Sequence, residues 1–353
     1  MGHNSFGDKV TITTFGESHG AAVGLIMDGL QPGLPLDLDF IQKEMDRRRP
    51  GGNSLGTPRK EDDKIEILSG VYEGIITGTP LTIIVENTNQ KSKDYSNISE
   101  VFRPGHADFT YTHKYGIRDP RGGGRSSGRE TLARVAAGAI SKLYLNRANI
   151  ICEAATIQIG NIKVSQSECN WDERTSNELY CPNNAKAEEM RNLINDLREK
   201  GDSIGGIIEC RIKGLPVGLG DPVFDKVEAL LAHAIMSIGA TKGFEIGEGF
   251  NAATLTGSQN NDEINSEGFI TNHAGGTLGG ITSGQDIIFR VAFKPTPSIS
   301  LSQKTIDKNN NNTEITIKGR HDPCICPRAV VVVEAMSSIV ILNLMKEISL
   351  EDK

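Results

Sequence analysis

The chain has 353 residues, with 45 acidic against 38 basic side chains, a formal charge of −7, 37% hydrophobic residues and only 5% aromatics. That balance excludes the basic surplus of a nucleic-acid binder and predicts an aliphatic core big enough for one large domain or two modest ones. No run of roughly 18 apolar residues is expected to span a membrane. The first nine residues carry no apolar signal region, and six cysteines scattered from 152 to 326 read as reduced thiols, which together point to the cytosol.

Residues 10–15 are β-branched and aromatic and predict a strand, with a second short apolar run at 22–27. Residues 38–49 place Phe40, Ile41 and Met45 at helical spacing and stop at Pro50-Gly51-Gly52. Short strands are expected at 65–67 and 81–85, and residues 103–124 are polar and rich in turn formers. The clearest helix covers 129–145, with Leu132, Val135, Ala136, Ala139, Ile140 and Leu143 along one stripe. Ser127 and Glu130 have the spacing of a capping box at its start. Residues 161–184 predict an irregular surface excursion, and 303–314, with its asparagine run at 309–312, a second surface loop. Helices at 188–200 and 223–238 flank a strand at 204–215. A strand at 287–293 follows, and 329–344 closes the chain as an apolar segment, helical at least in its later part. Two halves of similar content, with no linker and no short repeat, predict a single α+β domain.

Six constellations carry chemistry. Gly16-Glu17-Ser18-His19-Gly20 has the letters of a hydrolase nucleophile elbow, but too few strands precede it and the residues after Gly20 look extended. Either Ser18 and His19 face a site as donor and acid, or the segment is an ordinary turn. Arg103-Pro104-Gly105-His106-Ala107-Asp108 fixes His106 in a rigid turn, where it is either a proton donor or a surface side chain. A metal held by His106, Asp108 and His113 has no supporting spacing.

The strongest physical signal is the run from Gly122-Gly123-Gly124 through Arg125-Ser126-Ser127-Gly128-Arg129-Glu130. A glycine-rich loop enters a helix start, whose free amides and dipole seat an anion, and two guanidinium forks add charge. It lacks the lysine and spacing of a nucleoside-triphosphate loop. Arg47-Arg48-Arg49 at a helix end either complement the dipole or reach an anionic ligand. The glycines of 272–280, followed by Lys294-Pro295-Thr296-Pro297-Ser298, permit close backbone approach to a planar or phosphorylated ligand. In Gly319-Arg320-His321-Asp322-Pro323-Cys324-Ile325-Cys326-Pro327-Arg328, Asp322 is a fixed carboxylate base. The Cys-x-Cys has no second pair to make a metal site, so no metal is expected.

Taken in order from residue 7 to about residue 340, these motifs resemble the chorismate synthase family. The resemblance implies a β-α-β sandwich with internal pseudo-symmetry, in a single domain that assembles as a homotetramer. It implies a 1,4-anti elimination of phosphate from 5-enolpyruvylshikimate 3-phosphate to give chorismate. Reduced FMN is required without net redox change and comes from an external reductant, since no flavin-reductase segment is recognisable. By the same resemblance His19 protonates the departing phosphate and His106 protonates or stabilises the reduced flavin. Asp322 acts with the flavin in removing the ring proton, and Ser18 and Ser127 assist. FMN contacts carry over to Arg125, Ser126, Ser127, Gly239, Ala240, Gly279, Lys294, Pro295, Thr296, Pro297, Ser298 and Arg320. Substrate anions carry over to Arg48, Arg49, Arg129 and Arg320. Three positions depart from the family pattern: Gly239 stands where asparagine is common, Ser54 where arginine is, and Gly128 where alanine is. The second of these leaves its anion-binding role in doubt or passes it to Arg59. A serine hydrolase built on Ser18 and His19, and a non-catalytic anion- or flavin-binding module, are the competing classes.

Overall fold

The computed structural model describes residues 3–51, 55–56, 62–87, 99–317 and 321–345. Arg320, Gly319, Ser54 and Arg59 lie outside the described residues.

The first half supplies strands β1 (Ser5–Phe6), β2 (Thr11–Gly16), β3 (Ala22–Asp28), β4 (Glu66–Ser69) and β5 (Leu81–Glu86), with helices α1 (Leu38–Arg48), α2 (Asp108–Tyr115) and α3 (Thr131–Arg147). The second supplies β6 (Ile151–Ile159), β7 (Ile162–Lys163), β8 (Gly206–Lys213), β9 (Thr241–Ile246) and β10 (Ile287–Phe293). Its helices are α4 (Asn184–Glu199), α5 (Val227–Met236), the short α6 (Gly257–Asn260) and α7 (Cys326–Leu344). Each half builds one five-stranded antiparallel sheet, in the orders β1-β2-β3-β5-β4 and β7-β6-β8-β10-β9. Ranked within its own half, the first order is 1-2-3-5-4 and the second 2-1-3-5-4. The internal pseudo-symmetry implied by the resemblance is therefore present, with the first two strands exchanged.

Burial alternates along the strands, every second side chain of β10 being buried, as expected of sheets with one face on a core. That core is a helix layer: α3 lies against the first sheet, α7 against the second, and the two helices pack on each other. They cross at Gly138, where a Cβ would stand 2.2 Å from the Cβ of Ala335, so only hydrogen fits. Apart from Arg328, helix α7 is buried on all sides from Cys326 to Leu342, as an all-round apolar helix must be. By length and composition it is apolar enough to cross a membrane, which corrects the expectation that no such run exists, but 83% of it is buried inside this fold.

Four sequence expectations need correction. Residues 103–124 hold helix α2, ended by Gly116 at φ 72°. The long helix begins at Thr131, and Ser127 caps a short 3-10 turn, Gly128–Glu130, in front of it. No capping box forms, because the Glu130 carboxylate turns to Arg134 and Thr14. The 161–184 segment is tied down by β7 and by fully buried Leu179 and Cys181, and 303–314 forms a regular hairpin, Gln303–Ile306 with Asn312–Ile315.

Candidate active site

The Gly16–Gly20 motif is the turn between β2 and β3, a strand–turn–strand arrangement in place of the strand–turn–helix a nucleophile elbow requires. Ser18 Oγ lies 3.0 Å from its neighbour's His19 Nδ1, and both side chains are buried. The His19 ring rests on Gly122: a Cβ there would come within 2.6 Å of its Cε1 and Nδ1, and φ is +87°. Only glycine allows that approach.

Gly122 leads to His106. Its carbonyl accepts from Arg103 Nη2 at 3.1 Å, and Arg103 in turn forks onto Asp108 at 2.7 and 2.8 Å. Asp108 opens α2, where the helix dipole favours a carboxylate. It accepts from His106 Nδ1 at 2.8 Å and pairs with Arg118 at 2.9 Å. Burial alone would raise the Asp108 pKa, but the bonds from Arg103 and His106 outweigh it and hold the carboxyl well below the usual range. His106 itself is pushed below the ordinary imidazole value, chiefly by burial, with Arg103 adding to the shift and Asp108 opposing it. With Nδ1–H committed to Asp108, Nε2 is the nitrogen left for a ligand.

On the other side of His19, Asn87 donates to the carbonyls of Glu17 and Gly20 at 2.9 and 2.8 Å and accepts from Arg129 Nε. Arg129 Nη1 reaches one oxygen of Asp63 at 2.9 Å, and Arg48 Nη1 takes the other at 2.7 Å. Arg48 is 1% exposed, and burial, reinforced by nearby Arg328 and opposed by Asp63, lowers its pKa to about 10. The Arg48 carbonyl accepts from Arg328 Nε at 2.9 Å, and Arg328 Nη1 holds Asp322 at 2.5 Å.

From Asp322 the contacts return to His106. The Pro323 carbonyl accepts from Ile204 N at 2.8 Å, Ser203 Oγ donates to the Thr296 carbonyl at 2.7 Å, and Lys294 Nζ donates to the Gly105 carbonyl at 2.5 Å. His19, His106 and Asp322 are therefore linked in one circuit, by hydrogen bonds and ion pairs between segments and by chain neighbours within them, that also takes in Arg48, Arg129 and the 294–298 loop. Asp63, Asn87, Arg103 and Arg328 belong to it with no role foreseen from sequence; Arg103 and Arg328 were quoted in their motifs, whereas Asp63 and Asn87 stand in no motif at all.

The remaining sequence-predicted residues are placed less uniformly. Arg125 is spent on the Thr14 hydroxyl and the carbonyls of Thr14 and Gly16, and Ser126 donates to the Gly123 carbonyl. Ser127 Oγ accepts from Arg129 N. Of the arginine trio, Arg47 turns inward to Glu334 and Glu44, and Arg49 lies near Asp46 at the surface. Ala240 touches the 294–298 loop by accepting from Lys294 N, and Gly239 beside it is exposed just beyond the end of α5. Gly279 is exposed near the start of α5, so the ten-residue helix, about 15 Å long, separates it from Gly239. A cleft of about 840 Å³ adjoins the circuit, sharing Asp108, Arg118 and Gly122 with it and lined also by Arg125 and Ser126, but His19, His106 and Asp322 do not line it. Among the described residues no group of three His, Cys, Asp or Glu side chains is placed to hold a metal.

Residues 10–345 match the chorismate synthase family model. The chain is 52% identical over 342 residues to the chorismate synthase of Sulfurimonas denitrificans, covering 97% of this chain and 95% of that one. It is 51% identical over 346 residues to that of Parabacteroides distasonis, covering 96% and 97%. A solved structure described as chorismate synthase superposes with a TM-score of 0.76 at 33% identity, over 96% of this chain and 92% of the other. With sequence motifs, fold and near full-length relatives in agreement, the chain belongs to the chorismate synthase family and is a lyase of that activity.

Proposed function

We propose that the closed circuit of His19, His106, Asp322, Arg48 and Arg129 is the active site, and that it eliminates phosphate from 5-enolpyruvylshikimate 3-phosphate with reduced FMN as cofactor. The observation that carries this is the circuit itself: an acid, a base and several guanidinium groups from distant parts of the chain share one chain of contacts. The residues suit a flavin phosphate in one respect that is independent of the family. Thr296 Oγ1 is buried without a hydrogen-bond partner, beside Lys294 and the buried Ser298, and a Cβ at Gly239 would meet nothing within 4 Å.

The substrate has two carboxylates and a phosphate, so binding requires cations, and the arginines of the circuit supply them. His19, held by Ser18 through Nδ1, delivers a proton to the leaving phosphate. Asp322, fixed by Arg328, receives the ring proton, and His106, its Nδ1–H held by Asp108, presents the lone pair of Nε2 toward the flavin, where it accepts a hydrogen bond and stabilises the reduced ring. Reduced FMN, when bound, supplies an electron-rich ring to an elimination that side chains alone would find difficult. The same reading has the flavin reduced by an external system, the protein in the cytoplasm and the chain in a homotetramer. Family membership supports these three points, and exposed Phe224, Phe250 and Leu278 suit an assembly.

The test is anaerobic turnover. With chemically reduced FMN the protein should release equal amounts of phosphate and chorismate, with oxidised FMN neither, and NADPH alone should not replace the reductant. Phosphate release that is indifferent to the flavin's redox state would refute the reading.

A further inference from the structure

Asp63 is the residue in this region for which the elimination has no use. Its side chain is fully buried, and its carboxylate spans two arginines, 2.7 Å from Arg48 and 2.9 Å from Arg129. Both were expected to hold substrate anions. A carboxylate with one oxygen on each of two guanidinium groups has the geometry that a bound ligand carboxylate or phosphate would adopt there.

Three observations indicate that this arrangement is not the tightest the site can make. Asp63 has φ +44°, a left-handed backbone that side chains other than glycine adopt at a cost. Arg48 Nε is buried with no partner, so the guanidinium is not fully used. Arg48 also faces Arg328 and Asp322, so among the described residues the Asp63 carboxylate is shared between guanidinium groups that a second anion can also meet.

We propose that Asp63 is an internal stand-in for the ligand's anionic group: it occupies the Arg48–Arg129 seat in the empty site and competes with the ligand for it. Its carboxylate offsets part of the charge of the two arginines and keeps them in place until the ligand arrives. It is a positioning residue that sets anion affinity and takes no part in the elimination. The proposal rests on the reading that this circuit is the active site.

The experiment is calorimetric titration of the full chain with inorganic phosphate at constant ionic strength, without flavin, for wild type and Asp63→Asn. Removing one adjacent charge from a buried seat should tighten phosphate binding about tenfold. It should also make the variant's Tm rise more with added phosphate than wild type's. Unchanged or weaker phosphate binding in Asp63→Asn overturns the proposal, because a merely structural clamp would leave the affinity alone or lower it. If the variant does not fold, Arg129→Gln keeps the Arg48–Asp63 pair and asks about the same seat. Loss of phosphate binding is then expected, and unchanged binding overturns the idea. Neither titration uses turnover, so absence of elimination activity in wild type would fail the functional reading separately.

Discussion

His106 owes its chemistry to neighbours more than to its own turn. Asp108 fixes its tautomer and opposes the downward pull of burial and of Arg103 on its pKa. Asp108→Asn removes that opposition, so the imidazole should titrate at lower pH than in wild type, read from the His106 Cε1 proton by NMR. An unchanged or higher value would show that Asp108 does not hold the ring. The same substitution leaves Arg103 and Arg118 facing a neutral amide in a buried place, which typically costs ~3–5 kcal/mol of stability. Gly122 is the other residue on which the site depends: its missing Cβ is the room in which His19 lies.

At the level of elements, the helix layer is fastened by a buried ion cluster. Glu334 of α7 takes Arg47 of α1 at 2.7 Å, Lys142 of α3 at 2.6 Å and the amide of Ala154 in β6 at 3.0 Å; Lys142 also reaches Glu44 at 2.5 Å. Two acids and two bases cancel, and three helices are locked in register beside Arg48. Burial favours the neutral acid at Glu334, but Arg47 and Lys142 outweigh it and depress its pKa far below the usual range. A depressed carboxylate contributes stability that is fully present above its unfolded pKa of about 4.3 and is lost as pH falls toward the folded value. Glu334→Gln should therefore cost ~3–5 kcal/mol at neutral pH by denaturant unfolding, because two cations lose their main partner. The gap from wild type should narrow below pH 4. A loss under about 1 kcal/mol, or a gap that does not narrow in acid, would contradict this account.

Across the whole molecule, what the sequence revealed followed the strength of local signals. Strand 287–293 and the helix near 38–48 were legible because burial imposes a clear period on them, whereas the helix at 131–147, buried on almost every side from Val135 to Lys142, was legible from its long run of helix-forming residues. Helix α2 was not, since eight residues rich in Thr, Tyr and Phe carry little propensity and the helix is made by its setting. Ser127 was misread because a capping box and a capped 3-10 turn share the same spacing. In the site, His19, His106 and Asp322 stood out because each lies in a dense motif. Asp63 and Asn87 did not, because their roles come from partners 15 to 70 residues away and leave no local trace. The central claim is that one circuit carries the elimination, and single-turnover phosphate release under anaerobic conditions with reduced FMN tests it most directly. His19→Ala, His106→Ala and Asp322→Ala should each slow release by about 100-fold or more; release from all three within a few-fold of wild type would contradict the account.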